Sequence, residues 1–159
     1  MFVLAALFGS MASAEDVKIE KGARLFAEVC ASSLPSMSDT EQKALTVVTR
    51  EYGGNGFALA GKEVMTGAVR EAIITYRTSK ILKDGKNQCS VHAFRVDPNE
   101  AYKAWVGAFK AAKPKSVSMR KTEREGTVAA WKISGSKSNM VLEARQVKRK
   151  GFALILTWQ

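Results

Sequence analysis

Cys89 and His92 are the pair in this 159-residue chain whose side-chain types come closest to a reactive site. A thiolate beside an imidazole is the beginning of a nucleophilic couple. The stretch Cys89-Ser90-Val91-His92-Ala93-Phe94-Arg95-Val96 reads as a β-strand, however, and residues three apart on a strand point to opposite faces. His92 is the only histidine, and no cluster of His or Cys has the spacing of a zinc site, so neither a metal nor a cofactor is implied. Glu63, Glu71 and Glu143 are carboxylates in or near ordered segments, yet nothing in the sequence brings two of them together for acid–base work. Gly53-Gly54-Asn55-Gly56 lacks the lysine and hydroxyl residue that complete a phosphate-binding loop, and no strand precedes it, so it reads as a helix stop. No catalytic residue is assigned.

The basic residues offer a different chemistry. Twenty-five Lys and Arg stand against 15 Asp and Glu, a net charge of +10 that draws the chain to anionic surfaces. Lys113, Lys115, Arg120, Lys121 and Arg124 fall between a helix and the strands that follow it, and Lys148, Arg149 and Lys150 fall at the last turn. If these eight converge, they form an anion-binding patch; if not, they are a solvated polar face. Nucleic acid is disfavoured, because Tyr102, Trp105 and Phe109 recur at helical spacing and read as core anchors, not as an exposed stacking platform.

The two cysteines, Cys30 and Cys89, bear on compartment. Residues 1–14, MFVLAALFGSMASA, resemble the end of an export signal: an apolar run from Phe2 to Phe8, then Ala12 and Ala14 in the small-residue spacing that signal peptidase accepts. No Lys or Arg precedes Lys18, so the expected basic n-region is missing, and a start site further upstream is the expected reason. Outside the cytoplasm an even cysteine pair suggests one disulfide, Cys30–Cys89. No other apolar run approaches the ~20 residues of a membrane span. The expectation is a periplasmic or secreted chain with one domain over residues 15–159.

The elements that would position these residues follow from periodicity. Leu25, Phe26, Val29 and Cys30 form one stripe of a helix over 17–34, ended by Pro35. A second helix is expected from Ser38, where Ser38-Asp39-Thr40-Glu41 has capping-box spacing, with Ala44, Leu45, Val48 and Tyr52 on its inner face. Residues 57–70 are ambiguous, with Gly61 and Gly67 weakening any regular element. A β-branched run at 72–78, a turn at Lys83-Asp84-Gly85-Lys86 and the Cys89 strand make a hairpin. Asp97-Pro98-Asn99-Glu100 opens a third helix that ends before Pro114. Strands are expected around 116–122, 127–134, 139–147 and 151–158, the last apolar on both faces like a central strand covered on each side.

This order predicts an α+β domain: a single antiparallel sheet of about five or six strands with two or three helices packed on one face. The leading functional expectation is an exported, non-catalytic domain of the bacterial envelope that binds a partner or ligand, with the net charge pointing to an anionic envelope component or another protein. The alternatives are a small envelope enzyme with a carboxylate or Cys89 site, and a nucleic-acid-binding protein whose N-terminal segment packs as a helix.

Overall fold

The computed structural model describes residues 12–52, 57–58, 63–66, 72–134, 139–148 and 150–159. Residues 1–11 of the export-signal segment, the 53–56 loop, Glu71, the turn after Ser134 and Arg149 lie outside the described residues.

The chain is an α+β domain built on one antiparallel sheet. Helix α1 (Ala14–Val29) is followed by a 3-10 turn (Ala31–Ser33) and helix α2 (Thr40–Tyr52). Strands β1 (Phe57–Ala58), β2 (Glu63–Thr66) and β3 (Ile73–Arg77) come next, then a single helical turn α3 (Ser79–Leu82) and strand β4 (Asn87–Ala93). Helix α4 (Pro98–Ala112) leads into β5 (Ser118–Thr122), β6 (Ala129–Ser134), β7 (Met140–Val147) and β8 (Gly151–Trp158). The sheet order is β1-β2-β3-β4-β8-β7-β6-β5. The six strands β3 to β8 form the expected sheet, and the short β1 and β2, from the ambiguous segment, extend its edge. Two four-strand meanders, each preceded by helix, thus meet at a seam where β4 pairs with β8 from Asn87↔Trp158 to Ala93↔Phe152.

Local chemistry explains the helix limits. Ser13 Oγ accepts from the Asp16 amide at 3.1 Å and Asp16 Oδ2 accepts from the Ser13 amide at 3.0 Å, a capping box that starts α1 three residues earlier than its apolar stripe suggests. Asp97 Oδ1 accepts from the amides of Asn99 and Glu100 at 2.8 and 3.0 Å, so α4 begins where its Asp-Pro signal places it. Helix α2 begins at Thr40, with the Asp39 carbonyl accepting from the Lys43 amide at 3.0 Å.

The core lies between the helices and one face of the sheet. Phe26 and Phe109 meet with ring centroids 5.9 Å apart, and Trp105 packs on Phe152 at 5.5 Å. From the strands, Ile74, Val91, Leu154, Leu156, Leu142 and Ile133 point the same way. At Gly22 of α1 the Trp105 ring of α4 lies against the backbone: a β-carbon there would sit 2.6 Å from the indole, inside any tolerable contact. The sequence marks Gly22 only as a weak helix former; its packing role depends on a residue 83 positions away. Arg24 bridges to Glu51 at 2.7 Å and Arg50 to Glu28, tying α1 to α2 at the surface.

Cys30 follows the last residue of α1 and Cys89 sits on β4 facing it; their sulfurs are 1.97 Å apart and their Cα atoms 5.7 Å apart, a disulfide across 59 residues. The bond pins the end of α1 to the middle of the sheet.

Candidate functional site

No helix or strand covers the opposite face of the sheet among the described residues. Strand β8 is central, as its apolar character suggests, but helices cover only the side bearing Phe152, Leu154, Leu156 and Trp158. The expectation of cover on both sides is corrected to this extent. Ala153, Ile155 and Thr157 face away from the helices, and there they form the floor of two cavities.

Strand register determines what surrounds them. One row across the helix-free face runs Arg120↔Lys132↔Val141↔Thr157↔Gln88↔Arg77 through five consecutive antiparallel pairings. The neighbouring row runs Thr122↔Ala130↔Glu143↔Ile155↔Ser90↔Thr75. Two cations, Arg120 and Lys132, are therefore direct cross-strand partners, an arrangement that costs stability unless an anion lies near. Neither has a carboxylate partner among the described residues. With Lys86, Arg124, Ser118 and Thr157 they line a cavity of about 820 Å³.

Glu143 lies at the edge of this basic region and is 6 % exposed. Its carboxylate takes Arg124 Nη1 at 3.0 Å on one oxygen, and Arg145 Nε at 3.0 Å and Nη2 at 2.9 Å on the other. Two guanidiniums occupy its lone pairs, so Glu143 is the centre of an ion-pair network and not half of a carboxylate dyad.

A second cavity, about 210 Å³, lies along the same face beside β4. Its lining includes Thr75, Ser90, His92, Phe94, Val147 and Ile155. Gln88 Nε2 donates to Ser90 Oγ at 3.1 Å, while the buried Thr75 Oγ1 has no hydrogen-bond partner. Burial, and next the charge of Arg77, push the His92 imidazole below its ordinary pKa. Its ring contacts Phe94 edge-on, with centroids 5.6 Å apart. His92 thus faces away from Cys89, whose sulfur is joined to Cys30, and the strand-spacing argument against a Cys–His couple agrees with this geometry. No group of three or more metal-ligating side chains occurs among the described residues.

The basic residues singled out from sequence do not gather in one place. Arg120 and Arg124 reach the larger cavity. Lys121, paired across from Trp131, falls on the helix side of the sheet. Lys113 follows the end of α4 and donates from Nζ to the Val117 carbonyl at 2.5 Å. Lys115 is exposed in the turn before β5. Lys148 and Lys150 lie in the β7–β8 turn, where Lys150 lines a separate cavity with Arg95, Glu15 and Asp97. Lys86 and Lys132 were missed. Lys132 had a signal: it and Arg120 each stand six residues from Gly126, the turn glycine with φ +70°, so a hairpin centred there pairs them. Tyr102, Trp105 and Phe109 belong to the core, with Tyr102 stacked on Trp131 at 6.3 Å.

Compared with protein-family models, curated proteins and solved structures, the chain matches none.

Proposed function

We propose that this protein is an exported, non-catalytic binding domain of the bacterial envelope that takes an anionic ligand on the helix-free face of its sheet. The observation that carries this reading is the cross-strand pair Arg120 and Lys132, two cations held side by side without a carboxylate among the described residues, at the mouth of a cavity they share with Lys86 and Arg124. Charged hydrogen bonds to an anion contribute about 1.5–3 kcal/mol each, so reversing one of these charges is expected to weaken binding roughly tenfold or more. Calorimetric titration with inorganic phosphate and citrate checks this, comparing wild type with Arg120→Glu, Lys132→Glu and, as a control on the other face, Lys121→Glu. Equal losses in all three variants would mean that net charge alone attracts the anion, and the site would be abandoned.

Export is supported by the apolar run ending in Ala12 and Ala14, and an oxidising compartment is compatible with the Cys30–Cys89 bond. The intact mass from the native host, alkylated with and without reduction, is expected to begin at Glu15 and to gain two alkyl groups only after reduction. Cleavage there removes Ser13, the residue that caps α1 in the full chain. A mass retaining residues 1–14, with thiols that alkylate directly, would overturn export.

A further inference from the structure

The two cavities on the helix-free face adjoin along β8. Val141 and Thr157 line the cationic one, and Ile155, two residues from Thr157 on the same face, lines the other with Ala153. The first is ringed by guanidinium and ammonium groups; the second is walled by Ile155, Ala153, Val147 and Phe94. At its far end lies Thr75, 2 % exposed, whose buried hydroxyl has no hydrogen-bond partner.

We infer that the two cavities form one groove for a single amphiphile, with an anionic head at Arg120 and Lys132 and an uncharged, largely hydrocarbon body lying across β8 and β4 toward Thr75. This deepens the anion-binding reading and rests on it. Arg77 and Gln88 also line the second cavity, on the strand row that carries Arg120 and Lys132. Glu143, beside Ile155, is neutralised by its two arginines. His92 is discouraged from carrying charge by its burial. The path crosses β6, β7, β8, β4 and β3, four strand spacings or about 19 Å; allowing for the reach of the Lys132 side chain, a chain of about ten carbons spans the rest.

The test uses n-alkyl phosphates from ethyl to dodecyl, each below its micelle concentration, titrated against the full chain with inorganic phosphate as baseline. Binding of one molecule per chain is expected, with affinity rising about two- to fourfold per methylene and levelling near ten carbons. Ile155→Gln, which adds no charge opposite Glu143, should erase the dependence on chain length while leaving phosphate affinity intact, and Arg120→Glu should weaken the whole series. Decyl phosphate binding no tighter than inorganic phosphate, with both weakened by Arg120→Glu, would overturn the amphiphile groove and leave the anion site standing. No binding by either would overturn both. Retention on phosphatidylglycerol vesicles that is equal for wild type and Ile155→Gln, without a chain-length trend in the soluble series, would assign the cations to a membrane surface and overturn the groove.

Discussion

Replacing Trp105 by alanine is expected to lower the free energy of unfolding by about 3–5 kcal/mol, the range for truncating a fully buried aromatic. The size follows from its position. Trp105 has no exposed surface, lies over Gly22 of α1 and packs on Phe152 of the central strand, so one side chain joins two helices and the sheet. Its Nε1 also donates to the Ile19 carbonyl at 2.8 Å, fixing the ring in its slot. The glycine that admits the indole leaves nothing on α1 able to fill the space once the ring is gone. Trp105→Phe should cost less, because most of the contact remains and the hydrogen bond is the main loss. Urea unfolding followed by circular dichroism measures both. An alanine variant within about 1 kcal/mol of wild type would show that α1 and α4 close over the gap, and the account of this interface would be wrong.

Removing the Cys30–Cys89 bond is the second large perturbation. The chain-entropy model gives roughly 4 kcal/mol for a closed loop of this length. Both sulfur-bearing residues are fully buried, so the comparison should use Cys30→Ala with Cys89→Ala, which adds no polar atom to the core. The double variant and the reduced wild type are expected to unfold at similarly lowered urea concentrations, and reductant should leave the double variant unchanged. An unaltered midpoint after reduction would mean that packing alone holds the end of α1 on β4. Because typical domains are stable by only about 5–15 kcal/mol, reducing the Trp105→Ala protein should bring it close to unfolding altogether.

What the sequence made legible was what depends on near neighbours. Asp97-Pro98-Asn99-Glu100 carries its own capping chemistry, and α4 starts there. The alternation of β8 and the turn at Gly126 are equally local, and the C-terminal meander follows from them. Residues 57–70 gave no such signal: β1 and β2 are short, and they earn their place by pairing out from β3. The start of α1 was less legible, because Ser13, which opens the Ser13–Asp16 capping box, lies inside the Ala12–Ala14 spacing of a cleavage site. The basic site was half legible. Arg120 and Lys121 are adjacent in sequence, but strand alternation sends them to opposite faces, while Lys132 joins Arg120 from β6 and Lys86 from the loop just before β4. Grouping charges by sequence distance therefore chose the wrong companions. The hairpin register contained the right one.

The seam between β4 and β8 has a consequence for how the protein comes into being. The strand at the middle of the sheet is the last of its strands to be synthesised. Until residues 151–158 have emerged, β4 is an open edge with its apolar Val91 and Ala93 uncovered on one flank, and β7 waits in the same state. Neither meander can close onto the other, so the nascent chain carries two sticky edges that β8 fits. Cys89 lies on one of those edges and is buried once β8 pairs with β4. Vectorial synthesis thus leaves the sheet incomplete until β8 has emerged, and a chain interrupted before β8 would be left with the surfaces that chaperones and proteases recognise.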